Sequence, residues 1–355
     1  MTEDRVLLAH GDGGELMAEL IERVFVSRLG TGEPAGDDSA RIGAWEERAA
    51  GMRPPSAADI PALQNGSRLV FTTDAFVVDP IFFPGGDIGK LAVCGTVNDL
   101  AAAGARPVAL SASFILEEGL PISELERVVD SMARAGEEAE VRVICGDTKV
   151  VPRGGADKVY ITTSGVGEVP EGVEVSGAGA RPGDVVLVSG AVGDHGLAVL
   201  SVREGLEFES EIVSDCAPLA GLAGAVLEAA PGVHALRDPT RGGLATALNE
   251  IARQSQVEIE VVEAAVPVRQ PVAAACELLG LDPMYAANEG KMLAVVSERD
   301  AEAALRAMRG HALGGEAASL GLVREGRPGR VLLKTALGTH RILDRHVGEQ
   351  MPRIC

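Results

Sequence analysis

Residues 68–74 read RLVFTTD and residues 90–104 read KLAVCGTVNDLAAAG, and these two neighbouring stretches decide the fold. The first is rich in β-branched and aromatic residues, which predicts a strand that ends at Asp74. The second is rich in alanine, which predicts a helix. Residues 108–115, VALSASFI, predict the next strand. The sequence therefore begins a body of mixed strands and helices.

Elements of the same two kinds follow along the rest of the chain. The other predicted helices cover residues 15–28, 122–139, 193–204, 219–230, 242–254, 272–279 and 300–309. The other predicted strands cover residues 141–145, 158–167, 184–189, 257–262 and 292–297, and residues 331–334 and 340–343 predict a hairpin. We expect the strand at 141–145 to be short and buried. Because strict βαβ alternation is missing, the pattern favours an α+β fold of packed layers over a Rossmann sheet.

The length of 355 residues predicts two domains, with a boundary in the segment 170–183, which is rich in Gly, Pro and Ala. We predict an N-terminal segment over residues 1–40, domains over 41–170 and 171–335, and a tail over 336–355. The eleven residues after Asp344 are mostly polar and contain a glycine and a proline. Extended, they reach roughly 35 Å, far enough to enter a cleft and leave it again.

The composition excludes several classes of protein. The net charge of −20 disfavours nucleic-acid binding, although a nucleotide can still be held locally by backbone N–H groups, a lysine and a metal ion. The sequence has neither a signal-peptide pattern nor an apolar stretch of the length that spans a bilayer. Five widely spaced cysteines without a C-x-x-C pair argue against disulfides and structural zinc. We expect a cytoplasmic protein that binds neither membrane nor nucleic acid.

Glycine stands next to aspartate in several predicted turns, at 11–14, 36–38 and 146–147. Asp74 and Asp99 occupy comparable positions. Glycine allows a backbone to approach phosphates closely, and carboxylate oxygens suit Mg²⁺. Ordinary turn chemistry explains any single pair equally well, so only the set as a whole points to a phosphate site.

Three further stretches are candidates for phosphate binding or catalysis. Residues 85–91 resemble a P-loop, but the spacing is one residue short and Leu91 stands where Ser or Thr is needed. Residues 237–243, RDPTRGG, place Thr240 and two glycines before a predicted helix, which suits either an anion or a plain helix cap. Glu289 lies in a tight turn before a strand, where an exposed turn residue is the alternative.

Cys355 is the last residue of the sequence, at the end of a tail predicted to be flexible. Its thiol is therefore expected to be mobile and exposed, which is an oxidation liability unless its reactivity is used. The other four cysteines lie in apolar segments, where we expect buried and inert thiols: Cys94, Cys145, Cys216 and Cys276.

Together these stretches resemble the HypE family of hydrogenase maturation factors. This family belongs to the superfamily of aminoimidazole ribonucleotide synthetase and selenophosphate synthetase. The resemblance covers essentially the whole chain, and the ending PRIC is highly specific. The matching stretches are LLAHGDGG (7–14), FTTDAFVVDPIFFPGGDIGKLAV (71–93), GTVNDLAAAGARP (95–107), CGDTKVV (145–151), RDPTRGGLATALNEIA (237–252), NEGKML (288–293) and PRIC (352–355).

The resemblance implies a two-domain PurM-like fold whose N-terminal sheet pairs with that of a second subunit to form a homodimer. It also implies that ATP and Mg²⁺ bind between the domains. A carbamoyltransferase, HypF, would place a carboxamide on Cys355, and this chain would dehydrate it to an S-cyano group. The cyanide would then pass to iron on a HypC–HypD complex, for the [NiFe]-hydrogenase centre.

The resemblance also implies roles for individual residues. Lys149, Asp99 and Glu289 would surround Cys355, with Glu289 as the base and Asp99 as the other candidate. The metal ligands would be Asp38, Asp74, Asp99 and Asp147. The remaining nucleotide-binding residues would be His10, Gly11, Gly13 and Gly14 in a loop over the phosphates, together with Thr72, Lys90, Asn98, Gly146 and Thr240.

Two other functions remain open at this point. A selenophosphate synthetase would need a reactive cysteine or selenocysteine near its N-terminus, whereas the first cysteine here is Cys94, in an apolar segment. A non-catalytic carrier would use the tail to shuttle a group that is made elsewhere. ATP hydrolysis that depends on the modified cysteine distinguishes the dehydratase from the carrier.

Overall fold

A computed structural model describes residues 66–206, 211–345, 351 and 353–355, together with Glu15 and the strand at residues 40–42. Glu15 is helical, and the rest of the predicted helix over 15–28 lies outside the described residues. Within the described part, fourteen strands and seven α-helices form two domains. No helix in these ranges is both long and apolar enough to cross a bilayer.

The elements have the following bounds. The strands are β1 (Ala40–Ile42), β2 (Arg68–Phe76), β3 (Phe82–Phe83), β4 (Gly86–Asp87), β5 (Arg106–Glu117), β6 (Val143–Val151), β7 (Val159–Val169), β8 (Val185–Val188), β9 (Val233–Arg237), β10 (Glu258–Val262), β11 (Leu293–Val296), β12 (Ala318–Arg324), β13 (Arg330–Lys334) and β14 (His340–Ile342). The helices are α1 (Ile88–Ala102), α2 (Ile122–Glu138), α3 (Asp194–Arg203), α4 (Ala220–Ala229), α5 (Gly243–Gln254), α6 (Gln270–Leu279) and α7 (Glu298–Gly310).

The N-terminal domain is built on a sheet with the strand order β1-β2-β7-β5-β6, in which only β5 and β6 pair in parallel. Helices α1 and α2 cover one face, where Val70, Phe76, Leu110 and Ile161 are buried. Strand residues alternate between faces. The opposite face, which we call the open face, therefore carries the residues between these, among them Ile115, which is 41% exposed.

Strand β6 corrects the sequence prediction. The apolar run at residues 141–145 predicted a short, buried strand, but the observed strand is longer and forms an edge of the sheet among the described strands. Ile144 is 67% exposed and Cys145 is exposed rather than buried. The prediction was wrong because an apolar run of five residues does not by itself distinguish a buried strand from an exposed edge strand.

The C-terminal domain is built on a sheet with the order β14-β13-β10-β12-β8-β11-β9. Helix α5 packs on one face against the even residues of β8, Val186 and Val188. Helices α4 and α7 pack on the other face against Leu187. The hairpin predicted near the end of the sequence is confirmed as β13 and β14. Strands β9 and β12 had no counterpart in the sequence prediction, and the α+β class is confirmed.

Candidate active site

The last three residues of the chain lie against the segment that follows β2. The N–H of Val77 donates to the carbonyl of Cys355 at 3.1 Å, and the N–H of Asp79 donates to that of Arg353 at 3.2 Å. Ile354 between them is buried. Cys355 is partly buried, so the expectation of an exposed thiol is wrong for this conformation. The tail is docked because its backbone carbonyls accept hydrogen bonds from N–H groups of the segment after β2.

The docked cysteine lies where the two domains meet. It packs against an apolar cluster that contains Cys94 of α1 as well as Cys216 and Ala287 of the C-terminal domain. Cys94, Cys216 and Cys276 are buried as expected, and all five cysteines are free. The thiol of Cys355 therefore faces groups from both domains.

Three carboxyl groups and one guanidinium act on that thiol. The pKa of Cys355 is raised to about 12, mainly by burial; Arg241 opposes the shift, and the charges of Glu289, Asp74 and Asp238 add to it. The docked cysteine is thus a neutral thiol at physiological pH. Since Asp238 and Arg241 come from the loop before α5, the site combines residues that are far apart in the sequence.

Two of these carboxyl groups are deeply buried. Glu289 is 2% exposed and Asp238 is 6% exposed. Among the described residues, Oε1 of Glu289 and Oδ2 of Asp238 have no hydrogen-bond partner. Buried polar atoms are almost always paired, so two unpaired carboxyl oxygens beside one thiol indicate a place where a ligand binds.

Burial also shifts the protonation of both groups. Burial raises the pKa of Glu289 well above its usual 4.5, and the charges of Cys216, Asp238, Asp74 and Asp215 raise it further. Burial raises the pKa of Asp238 to about 6, against the opposing charge of Arg237. Buried carboxyl groups with a raised pKa bind a proton more readily than free ones, and such groups are typical of sites of general acid and base catalysis.

The loops that carry these two acids are joined to each other. The backbone N–H of Asn288 donates to the carbonyl of Pro239 at 3.1 Å, and its Nδ2 donates to the same oxygen at 2.9 Å. Asn288 directly precedes Glu289, and Pro239 directly follows Asp238. This double contact holds Glu289 and Asp238 in one frame.

Asn98 of α1 fastens the same frame to the N-terminal domain. Its Nδ2 donates to the carbonyls of Glu289 and Ala217, each at 3.2 Å, and its Oδ1 accepts from the N–H of Leu219 at 2.8 Å. Asn98 is fully buried. We predicted from the sequence that Asn98 binds the nucleotide. In the structure, its amide nitrogen and its amide oxygen both form hydrogen bonds that join the domains.

Asp215 fixes the turn that contains Glu289. Its carboxylate accepts from the N–H of Glu289 at 3.1 Å and of Gly290 at 3.2 Å, and it pairs with the ammonium of Lys291 at 3.1 Å. A Cβ on Gly290 would lie 1.8 Å from the carbonyl oxygen of Asp215, so only glycine fits. Glu289 is consequently held by its backbone while its side-chain oxygen Oε1 stays available.

Strand β2 and helix α1 place two more of the predicted acids. Oγ1 of Thr72 donates to Oδ2 of Asp99 at 2.7 Å. Two residues along β2, Oδ2 of Asp74 lies 3.4 Å from where a Cβ on Gly95 would stand. Burial raises the pKa of Asp74, and the charge of Arg241 partly opposes this. Asp74 therefore belongs to the group around Cys355. Asp99 lies about one turn of α1 after Gly95.

Asp147 and Lys149 lie elsewhere in the single chain. They pair with each other at 2.9 Å and are 65% and 71% exposed. Their neighbours in register on β5 are Ser113 and Ile115, on the open face. The sheet thus separates Lys149 from Glu289 within one chain, and the structure does not bring together the predicted set of Asp99, Lys149 and Glu289. Gly146, which directly precedes Asp147, allows close contact between the strands, since an added Cβ would lie 2.2 Å from the carbonyl oxygen of Ala112.

The structure also argues against a P-loop at residues 85–91. Asp87 caps α1, with Oδ1 accepting from the N–H groups of Gly89 and Lys90 at 2.8 and 3.1 Å, which occupies donors that a phosphate would need. Nζ of Lys90 donates to the carbonyl of Gly85 at 3.2 Å. Thr240 is partly exposed and precedes α5, which has no side-chain cap. Five predicted residues lie outside the described ranges: His10, Gly11, Gly13, Gly14 and Asp38.

The sequence predictions missed Asp238, Arg241, Asp215 and His195, a buried histidine that bonds to the tail. A signal for the first two existed, since the stretch RDPTRGG was singled out, but only its Thr and Gly residues were considered. Asp215 and His195 act through contacts with residues more than 70 positions away. No local pattern reveals such contacts.

The acidic group around Asp74 is compatible with a magnesium ion that arrives with a nucleotide. Within the described residues, no three His, Cys, Asp or Glu side chains are arranged to hold a metal by themselves. Mg²⁺ bound to phosphates usually takes only one or two carboxylates from the protein, and phosphate and water complete its shell. The hard oxygen donors of this group fit that requirement.

Comparisons with known families match both domains. The model of the AIR synthase related protein N-terminal domain matches residues 47–169, and that of the C-terminal domain matches residues 181–334. Carbamoyl dehydratase HypE of Cupriavidus necator is 52% identical over 351 residues, which are 99% of this chain and 95% of that protein. The Escherichia coli protein of the same name is 45% identical over 99% of this chain and 100% of its own length.

Solved structures give the same result. A HypE–HypF complex contains a chain with a TM-score of 0.81 and 44% identity, covering 92% of this chain and 99% of that one. HypE in complex with ATP has a TM-score of 0.78 and 47% identity, covering 99% and 100%. Thiamine monophosphate kinase of Aquifex aeolicus, at 22% identity and a TM-score of 0.61 over 90% and 97%, shows a shared fold alone.

Proposed function

This chain belongs to the HypE family of carbamoyl dehydratases, within the AIR synthase related proteins, and on that premise we propose that it dehydrates a carboxamide carried by its own Cys355. The product is an S-cyano group on the same sulfur. The function is hydrogenase maturation, in which this group supplies the cyanide ligands of the [NiFe]-hydrogenase iron.

The chemistry explains why ATP is needed. A carboxamide does not lose water readily, because its oxygen is a poor leaving group. Transfer of the γ-phosphate of ATP to that oxygen turns it into a phosphate ester, and loss of the N–H protons then expels phosphate and leaves the nitrile. The sum is S-carboxamide plus ATP giving S-cyanide, ADP, phosphate and one proton. The oxygen of the formal water departs with the phosphate.

One observation carries the proposal. Cys355 is docked between the domains, and the buried, unpaired carboxyl oxygens of Glu289 and Asp238 belong to the group of charges that acts on its sulfur. A carboxamide on that sulfur would present N–H donors to acceptors that otherwise have no partner. The raised pKa of Glu289 gives its carboxylate a higher proton affinity than that of a free glutamate, which suits a general base.

Each residue of the group receives a role on this basis. Glu289 accepts the proton from the carboxamide nitrogen, because its turn is fixed by Asp215 and its Oε1 is unpaired. Asp238 keeps Glu289 basic by its negative charge. Arg241 supplies positive charge beside Asp74 and Cys355, where the transferred phosphate accumulates negative charge. Asp99 remains the alternative base.

The nucleotide site is proposed from the sequence pattern and the geometry together. A solved HypE structure contains ATP, and we infer ATP binding for this chain. Asp74 is the described carboxylate best placed for Mg²⁺, with Asp38, Asp99 and Asp147 as the further proposed ligands. The remaining proposed nucleotide contacts come from the loop of residues 10–14 and from Thr72, Gly146 and Thr240. Asn98 and Lys90 were predicted from the sequence as well, but the amide of Asn98 joins the domains and Nζ of Lys90 donates to the carbonyl of Gly85. Bound Mg²⁺ would neutralise phosphate charge.

The open face of the N-terminal sheet supports a homodimer. Large apolar side chains are exposed on this sheet and on its edge strand β6, namely Phe71, Val108, Ile115, Val143, Ile144 and Val150. Such a surface is unusual for a monomer. A second copy that covers it would contact Lys149 and Asp147, so we propose that these two residues act in the site of the neighbouring chain.

The partners follow from the same premise. A related HypE forms a complex with HypF, and we propose HypF as the donor of the carboxamide here. We propose a HypC–HypD complex as the acceptor of the cyanide. Both exchanges require the tail to leave the cleft, which the predicted reach of residues 345–355 permits. The five free cysteines are consistent with a cytoplasmic protein.

Replacement of the cysteine tests this function directly. Cys355→Ala should bind ATP as the parent does but should form no cyanide and should lose the ATP hydrolysis that carbamoylation triggers. Nucleotide binding is measured by calorimetry, and ADP is counted per carbamoyl group in a single turnover. A carrier without catalytic activity would release no ADP in response to the modified cysteine. That result would contradict the dehydratase.

A further inference from the structure

Two sets of contacts hold the tail besides its backbone pairing with Val77 and Asp79. The guanidinium of Arg203 contacts the carbonyls of Asp79 and Arg353, and Arg353 itself pairs with Asp157 at 2.6 Å. These contacts hold the third residue from the end. The second set acts one residue closer to the thiol, on Ile354, and consists of a single histidine.

His195 is that residue, and its hydrogen bonds define its tautomer. The imidazole is fully buried on α3. Its Nε2 lies 3.0 Å from the carbonyl oxygen of Ile354, which can only accept, so Nε2 carries the hydrogen and donates. Its Nδ1 then accepts from the hydroxyl of Ser214 at 2.8 Å, and that oxygen accepts from the N–H of Cys216 at 3.1 Å.

The helix that carries His195 is tied to the turn that carries Glu289. The N–H of Gly193 donates to Oδ1 of Asn288 at 2.8 Å, and the N–H of Gly196 donates to the carbonyl of Ala287 at 3.0 Å. These bonds lie on either side of His195 in sequence. They place the donor that holds the residue before Cys355 and the acid that faces Cys355 in one hydrogen-bonded frame.

We propose that His195 is the positioning residue that holds the tail in the cleft and sets the distance of the Cys355 sulfur from Glu289. It does so through one bond, from Nε2–H to the carbonyl of Ile354. The bond has to break each time the tail leaves to collect or deliver its group. The strength of this hydrogen bond therefore influences the fraction of time that the tail spends in the cleft.

The character of the imidazole suits this task. Burial lowers the pKa of His195, so the ring stays neutral in the docked state. A neutral donor holds a carbonyl without the strength of a charge-assisted bond, and the tail can be released. Phe83 packs edge-on against the ring, with 5.3 Å between centroids, which fixes its orientation.

The bond can be tested on the unmodified full-length chain by alkylation of Cys355 with iodoacetamide, followed by peptide mass spectrometry. The reagent needs a thiolate, and burial raises the pKa of the docked thiol to about 12, so the docked tail is protected. Loss of one buried hydrogen bond should raise the alkylation rate in His195→Ala about tenfold. His195→Gln keeps an N–H donor and should stay near the parent rate.

Two controls keep the result interpretable. Cys94, Cys216 and Cys276 are buried and should stay unlabelled in every variant, which shows that the fold has not loosened. If His195→Ala does not fold, Ser214→Ala decides the matter. It removes the donor that fixes the tautomer and should raise the alkylation rate a few-fold. An unchanged Cys355 rate in the folded variants overturns the proposal.

The consequences for catalysis rest on the proposed function. With His195→Ala, dehydration should slow because the carboxamide is misplaced, whereas carbamoylation by the external donor should speed up because the tail is outside more of the time. A purely structural defect would slow both steps. The alkylation test uses neither ATP nor a carbamoyl donor, so either the positioning role or the dehydratase function can fail without the other.

Discussion

At the residue scale, the base that we propose is Glu289, a buried acid whose backbone N–H is held by Asp215 and whose Oε1 is unpaired. Glu289→Gln keeps the shape of the side chain but removes the proton acceptor. We expect unchanged ATP binding and dehydration slowed by about 10²–10⁴-fold. The rate is measured by mass spectrometry of carbamoylated protein in a single turnover.

The matched control for this substitution is Glu316→Gln. Glu316 is half-exposed, pairs with Arg269 at the surface and should tolerate the change. If Glu289→Gln dehydrates its carboxamide at the parent rate, Glu289 is not the base and Asp99 becomes the candidate.

The pH dependence of the reaction tests the role of Asp238. Glu289 works as a base only when deprotonated, so the rate should rise with pH through its pKa, which lies well above 4.5 because of burial and the neighbouring charges. Asp238→Asn removes one of the negative charges that raise this pKa. The rising limb of the pH–rate profile should therefore move to lower pH at saturating Mg²⁺ and ATP.

Asp300→Asn is the control for that shift, because Asp300 lies at the start of α7 and is not among the charges that act on Glu289. Its profile should match that of the parent chain. A rising limb that stays in place or moves to higher pH in Asp238→Asn would contradict the coupling of the two acids.

The sequence predicted part of the site at this scale, and the reason lies in how each residue acts. Cys355 was singled out because a terminal thiol has a local signature. The proposed role of Glu289 came from the family resemblance, because its tight turn suited an exposed residue equally well. Asp238 and His195 were missed because their roles come from Pro239–Asn288 and His195–Ile354 contacts across the fold. The exposed thiol was predicted wrongly because the polar tail gave no sign of its backbone pairing with Val77.

At the scale of elements, the open face predicts association. Ile115→Arg places a charge at the centre of that face, which should convert a dimer to a monomer in analytical ultracentrifugation. Leu278→Arg is the matched control, since Leu278 is an apolar side chain on α6 with 75% exposure. It adds the same charge to a chain of net charge −20.

The two variants together give a clear result. If Ile115→Arg and the parent sediment with the same mass, the open face is not the surface that pairs. If Leu278→Arg is also a monomer, the added charge causes dissociation wherever it is placed. The open face is then not shown to be the dimer interface.

Sequence patterns predicted helices better than strands. Helix α2 and α7 have clear apolar stripes, and their bounds lie close to those predicted. Strands β9 and β12 were missed because β9 is a five-residue run and β12 contains Gly321 and exposed positions. The burial of β6 was predicted wrongly because a short apolar run does not distinguish a strand in the middle of a sheet from a strand at its edge.

At the scale of the whole molecule, the site exists only where the two domains meet. Asn98 of the N-terminal domain donates to the carbonyl of Glu289 in the C-terminal domain. The tail pairs with Val77 and Asp79 of the N-terminal domain, while His195 of the C-terminal domain donates to the carbonyl of Ile354. The sequence motifs indicated the fold and its two domains. The contact between the domains depends on buried hydrogen bonds of an amide and an imidazole, which only the folded chain shows.

Dehydration of the carboxamide on Cys355 can be followed directly by intact-mass measurement of the carbamoylated protein. With Mg²⁺ and ATP, we predict that the protein loses the mass of one water, that the change maps to Cys355, and that it does not occur without ATP. A carbamoylated protein that binds ATP and keeps its full mass would contradict the account.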